Sequence, residues 1–249
     1  MTDLAALVDD LRAEQYELQA IVAVIDAAAW LTPTPAWGWD VRDTISHLAD
    51  IDEMAMETAT DGPYAINKVA ERAASTEDVT YGGVLRGRRM AGAQVLAWWM
   101  RSSVAECELL LTLPPDVRVP WGIGMRAPSF VTARLMETWA HGLDVHAALG
   151  VPSVDTDRLA HVAWLSTRAL PYAYSVAGRE MPPAPLRVEL TLPSGAIWAS
   201  GPPDVADRIM GSASEYCRVF VQRMRWQDTA LVVEGDAAHG AMSVARAFL

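Results

Sequence analysis

The spacing at which apolar residues recur changes once along this chain, and that change sets what it can fold into. Leu4, Leu7, Val8, Leu11, Leu18, Val22 and Ile25 recur at helical spacing, which predicts one amphipathic helix over 3–29, stopped by Thr32-Pro33-Thr34-Pro35. Asp40 stands where an N-cap belongs for a second helix to about Thr58, with Val41, Ile45, Leu48, Ile51 and Ala55 as its inner stripe. The polar stretch from Asp61 to Gly83 reads as a long functional loop with some short helix. A third helix is expected over about 92–113, ending at Pro114-Pro115, and a fourth over about 129–149 with Gly150 as its C-terminal cap. These four make an up-and-down bundle with one long crossover, and a fifth helix, about 156–172, packs against it or leads out of it.

After Pro182-Pro183 the period drops to two. Leu186, Val188, Leu190 and Leu192 alternate with polar residues as a half-buried strand, Pro193-Ser194-Gly195 turns the chain, and Ala196 to Ser200 returns. A helix over about 205–223, a short strand at Leu231-Val232-Val233 and a last helix over about 237–248 complete the pattern. The expected fold class is mainly α with a small α+β part: a four-helix bundle domain over 1–172 and an α+β domain over 173–249.

A formal charge of -11 opposes a nucleic-acid partner, whose phosphates it would repel. The start of the chain lacks the basic and apolar regions of a signal peptide, and no apolar run approaches the ~20 residues of a membrane span. A cytoplasmic protein with no membrane partner is expected. Cys107 and Cys217 lie far apart within apolar helical patterns and read as buried free thiols rather than a disulfide.

Within Leu135-Met136-Glu137-Thr138-Trp139-Ala140-His141, Glu137 and His141 are four apart on one helical face. That spacing separates Cβ atoms by ~5–6 Å, right for two ligands on one divalent ion such as zinc, and equally right for a surface hydrogen bond. His47 lies beside the apolar stripe of the second helix, either as a satisfied core residue or as a third ligand from a facing helix. Three protein ligands leave a coordination position open, which is a catalytic arrangement. Asp50 and Asp144, each three residues after a histidine, are either acceptors that orient the imidazoles or solvated surface groups. His146, His161 and His239 read as structural or exposed.

At these residues the sequence resembles the mycothiol-dependent maleylpyruvate isomerase family, within the DinB-like group of metal-binding helical bundles. The resemblance is carried by Trp39-Asp40-Val41-Arg42-Asp43 through His47, by Val119-Pro120-Trp121, and by the run from Ala133 to Val145 around Glu137 and His141. It covers most of 1–172, and the C-terminal region is similar in outline to a small sterol-carrier-like α+β domain. It implies zinc held by His47, Glu137 and His141, and mycothiol, a low-molecular-weight thiol, as cofactor or co-substrate in the groove between the domains. A metal lowers a thiol's pKa and presents a thiolate to an electrophilic small molecule. Isomerisation follows if the thiol is expelled again, and transfer if it stays.

A dianionic electrophile needs cations, for which Arg86, Arg88 and Arg89 before the third helix, and Arg223 and Arg225, are the candidates; Arg86, Arg89 and Asp144 are the catalytic assignments. Trp98, Trp99 and Trp121 are equally suited to lining an apolar pocket. Two other readings stand beside the thiol-dependent enzyme: a binding protein for an apolar small molecule, and a metal-dependent hydrolase or lyase that activates water. Either a monomer or a homodimer fits the sequence.

Overall fold

The computed structural model describes residues 3–61, 76–121 and 124–247. The chain divides into two compact units, residues 1–153 and 154–249.

In the first unit, α1 (Leu4–Val22) is capped by Asp3, whose Oδ1 accepts from the amide of Ala5 at 3.1 Å. It ends seven residues before the expected boundary at residue 29. Asp26 captures the amide of Ala29 at 2.8 Å and starts a 3-10 turn, Ala29–Leu31, that buries Trp30. Thr32 to Val41 then forms a narrow hairpin, with Thr34 donating its amide to the carbonyl of Trp39 at 2.9 Å and Pro33 bridging Asp40. α2 (Val41–Asp61) begins with a reciprocal cap: Asp40 Oδ1 accepts from the amide of Asp43 at 2.8 Å, and Asp43 Oδ2 from that of Asp40 at 3.4 Å.

The stretch expected to loop from Asp61 to Gly83 is helical from Thr76, where α3 (Thr76–Gly87) begins; the rest of it, 62–75, lies outside the described residues. Two glycines one turn apart in α3 explain how it meets α2. A Cβ on Gly83 would lie 2.4 Å from the Cβ of Asp50, and one on Gly87 would lie 1.7 Å from Ser46 Oγ. Only hydrogen fits at either position. Gly87→Ala is therefore expected to lower stability by about 1–3 kcal/mol through overpacking. Gly82→Ala, whose Cβ meets nothing within 4 Å, is expected to raise it by about 0.5–1 kcal/mol through helix propensity. Urea titration of the two variants checks the opposite signs.

α4 (Gly92–Leu110) and α5 (Ala127–Leu149) complete the bundle with α1 and α2. Between them β1 (Arg118–Val119) pairs antiparallel with β2 (Met125–Arg126). Pro128 occupies the first turn of α5, and Gly150 closes the helix in the left-handed conformation at φ 65°, as the sequence predicts. Leu18, Ile45, Leu48, Val95, Trp99 and Val145 meet in its core. Among the described residues no helix is long and apolar enough to cross a membrane.

The second unit starts before α6 (Leu159–Arg168), so the division falls at 153/154 rather than 172/173. Side chains explain the shift. Thr167 hydrogen-bonds the hydroxyl of Tyr216 at 3.1 Å, and Arg218 pairs with Asp155, tying α6 and its approach to α8 (Ala213–Phe220). After α7 (Leu170–Val176) comes a four-stranded sheet of β3 (Leu186–Thr191), β4 (Ile197–Ser200), β5 (Asp207–Ser212) and β6 (Val232–Glu234), in the order β4-β3-β5-β6.

The expected helix over 205–223 is in fact two elements. Asp207–Ser212 is a strand because it pairs in parallel with all of β3, Leu186 opposite Asp207 through Thr191 opposite Ser212, and only then does α8 begin. The last helix, α9 (Asp236–Ser243), is shorter than expected, since the chain turns back for the amide of Ala247 to reach the carbonyl of Phe220 at 2.9 Å. Cys107 and Cys217 are both free and buried, one in each unit.

Candidate metal centre

His47 comes from the second turn of α2, Glu137 and His141 from the middle of α5, and their nearest ligand atoms all lie within 4.8 Å of one another. His47 Nε2 donates to Glu137 Oε1 at 2.9 Å, and His141 Nε2 lies 3.5 Å from the same oxygen. Two ligands on a tetrahedral zinc, at bond lengths of ~2.0–2.1 Å, stand ~3.3 Å apart, and the two distances to Glu137 fall on either side of that figure. The far side of His141 is already committed: its Nδ1 faces Asp144 Oδ2 at 3.2 Å, which fixes the ring and leaves Nε2 turned toward Glu137. Both histidines and Asp144 are buried. A nitrogen–oxygen–nitrogen set of this kind fits a divalent ion.

The electrostatics agree. Burial pushes the Glu137 carboxyl up, but hydrogen bonds from His141 and His47 outweigh it and hold the group well below the usual carboxylate range. Burial lowers His47 and prevails over its bond to Glu137. His141 is also lowered by burial, yet Asp144 and Glu137 together lift it above the ordinary imidazole value. The site therefore stabilises positive charge beside Glu137.

A wall of the site comes from the Trp39 motif, whose sequence does not reveal that role. Trp39, at the end of the hairpin, lies with its ring centroid 5.0 Å from that of His47 and 5.8 Å from that of His141, nearly parallel to the latter at 25°. Also missed was a buried polar layer one turn along α5. Arg134 Nε donates to Glu106 on α4 at 2.7 Å, its Nη2 donates to Asp52 on α2 at 2.7 Å, and Gln15 on α1 donates to Glu106 at 3.1 Å. Each of the four bundle helices contributes one member. The signal was a charge on the inner stripe of three separate helices.

The other expected site residues are placed as follows. Asp144 stands beside His141, its Oδ2 3.2 Å from the ring Nδ1. Asp50 makes no hydrogen bond to His47; it lies against Gly83 of α3. Arg86 pairs with Glu53 at 2.7 Å and lies over the Trp98 ring at 3.9 Å, while Arg89 is exposed. Arg88 binds Asp43. None of the three reaches the metal ligands. Arg225 pairs with Asp228 in the second unit, where Arg223 donates to the carbonyl of Val221. Trp98 and Trp99 are core residues, and Trp121 lies 5.5 Å from Phe130.

Asp50 carries a measurable consequence. Burial, with Glu53 nearby, pushes its carboxyl from 3.8 up to about 6, against the pull of Arg86. A raised carboxylate pKa means the folded state binds the extra proton, so this group's contribution falls as pH rises from about 4 to about 6. Asp50→Asn is expected to gain roughly 1 kcal/mol at about pH 8, discounted for partial exposure, and nothing at about pH 4. Urea midpoints at the two pH values decide it; a gain equal at both would rule out this cause.

Comparison with known proteins agrees with the geometry. The sequence model of the mycothiol maleylpyruvate isomerase N-terminal domain matches residues 11–146, more than half the chain and all three candidate ligands. An uncharacterised protein of Mycobacterium tuberculosis, found in strains CDC 1551 / Oshkosh and ATCC 25618 / H37Rv, is 37% identical over 249 residues, 100% of this chain and 97% of the relative. Among solved structures, the crystal structure of the mycothiol-dependent maleylpyruvate isomerase, and that of a histidine-to-alanine mutant of it, share the fold: TM-score 0.57 at 15% identity, over 87% of this chain and 88% of theirs. The chain belongs to the mycothiol maleylpyruvate isomerase family, whose N-terminal domain forms its helical bundle.

Proposed function

We propose that this protein is a metal-dependent, thiol-using isomerase or transferase, with a divalent ion, zinc by its donor set, held by His47, Glu137 and His141. The observation that carries the proposal is the convergence of three donor atoms from two helices within 4.8 Å of one another. When bound, such an ion supplies Lewis acidity that ionises a low-molecular-weight thiol, mycothiol by family, for addition to an electrophilic carbon of a second small molecule. The protein's own groups do the rest. Asp144 fixes the ring of His141, Glu137 compensates positive charge in a buried place, and Trp39 covers one side of both imidazoles. Three protein ligands leave room for the thiol sulfur. A cytoplasmic location follows from the use of such a thiol.

The test loads purified protein with zinc and follows the ultraviolet absorbance of added thiol at neutral pH. Ionised thiol in stoichiometric amount with the parent, and none with His141→Ala, is the expected result. Stoichiometric zinc with no ionised thiol would overturn the thiol-activating role and favour activation of water. A panel of electrophiles then separates isomerisation, which returns the thiol, from transfer, which consumes it.

A further inference from the structure

We infer that Arg88 is a positioning residue for the metal centre: it latches the 32–41 hairpin to α2 and α3 so that Trp39 stays against His47 and His141. The inference rests on the proposed function only for the identity of what the site holds.

The guanidinium of Arg88, just past the end of α3, gathers three separate pieces of the first unit. Its Nε and Nη2 donate to both oxygens of Asp43 in the first turn of α2, the Nη2 contact being 2.7 Å. Nη2 also donates to the carbonyl of Gly38, at the tip of the hairpin, at 3.1 Å. Nη1 donates to the hydroxyl of Tyr81 on α3 at 3.0 Å. The carboxylate it grips is 2% exposed, and the same carboxylate receives the amide of Asp40 in the cap of α2. A planar fork with five donors suits this job, because the partners lie on different sides of it.

Gly38 adjoins Trp39, and Gly38 has φ 78°, a left-handed conformation that a side-chain-bearing residue adopts only with strain. Within the hairpin the tip is held by the amide of Trp39 on the carbonyl of Ala36 and by Thr34 on the carbonyl of Trp39. These bonds shape the hairpin, and the Asp40–Asp43 cap with the amide of Val41 on the carbonyl of Thr32 joins its base to α2. Arg88 ties down the tip, by gripping the carbonyl next to Trp39 and the start of the helix that carries His47. The long reach of a residue distant in sequence thus sets where an indole stands over two imidazoles.

Metal-free protein provides a readout independent of the ion. The Trp39 ring shifts the imidazole proton resonances of His47 and His141, so Trp39→Ala is expected to move them. Arg88→Met is expected to move them part of the way in the same direction, and to move them no further in a Trp39→Ala background. Arg88→Lys keeps a charge beside Asp43 without the fork, so it guards against misfolding: native circular dichroism with the same displaced resonances is expected. With cobalt bound, loss of the ion to a chelator is expected to quicken about tenfold in Arg88→Met and in Trp39→Ala, and no more in the double variant. Unmoved imidazole resonances in both Arg88 variants, or additive effects in the double variant, would overturn the inference. Should the parent take up no cobalt, the metal reading falls, while the imidazole resonances still decide the role of Arg88.

Discussion

Methionine in place of Arg134 is expected to cost the bundle about 3–5 kcal/mol at neutral pH. The reason is arithmetic of charge in a dry place. Arg134, Asp52 and Glu106 are 2%, 1% and 1% exposed, and one guanidinium serves two carboxyls. Burial already pushes both carboxyls up, Asp52 further because Glu106 lies beside it, with Arg134 opposing in each case. Removing the cation leaves two buried acids whose donors among the described residues are Gln15 and the weakly placed hydroxyl of Ser102, 3.5 Å from Asp52. Protonation is their remaining escape. The deficit should therefore shrink as pH falls, because the folded variant binds protons that the unfolded chain gives up. For a domain whose whole stability is ~5–15 kcal/mol, this is a large fraction. Urea melts across pH check it, and a pH-independent loss below ~1 kcal/mol would show that the layer is not electrostatically coupled. Replacing Arg134, Asp52 and Glu106 together by apolar residues of similar size should recover most of the loss.

The second large effect is on metal. His47→Ala, Glu137→Ala and His141→Ala are each expected to weaken zinc binding by ~3–4 kcal/mol, a quarter of the total found for four-ligand sites, or a few hundredfold in affinity. Asp144→Asn should weaken it ~10–100-fold through the His141 ring it orients. Saturating zinc at ~100 times its dissociation constant should stabilise the parent by ~2.7 kcal/mol, and the three alanine variants not at all at that concentration. Elemental analysis and thermal melts with and without zinc measure both quantities. Full metal retained by His141→Ala would remove it from the site. The helical signal should survive every substitution, since none of the three ligands belongs to the apolar cluster of Leu18, Ile45, Leu48, Val95, Trp99 and Val145.

What the sequence revealed follows the range of the interactions concerned. Glu137 and His141 were visible because their pairing is a property of one helix. His47 was nominated by its place beside an apolar stripe and by the family pattern, and the fold brings its nitrogen to 2.9 Å from Glu137. The bundle helices showed through their period, and the cap of α2 through Asp40. The layer of Gln15, Asp52, Glu106 and Arg134 stayed hidden, since a charged residue on one stripe does not say which charge on another helix will meet it. β5 reads as helix in sequence for a similar reason. Val205, Ile209, Ala213 and Tyr216 fit helical spacing, and what makes Asp207–Ser212 a strand is its parallel partner some twenty residues earlier. Trp39 was noticed for its place in a motif, but its stacking depends on how the hairpin folds back.

The seam between α2 and α3 constrains chain length as well as side-chain size. Each residue advances a helix by ~100°, so inserting one residue between Gly83 and Gly87 would turn Arg88 by that angle around the axis of α3. It would also put a side chain where Ser46 or Asp50 now admits only hydrogen. The stretch from Gly83 to Arg88 thus behaves as a phase mark: the exposed Leu85 may change, but the number of residues cannot. A loop-length variant library across 76–92 should tolerate insertions after Met90 and reject them inside the seam, in a pattern set by angle rather than by burial.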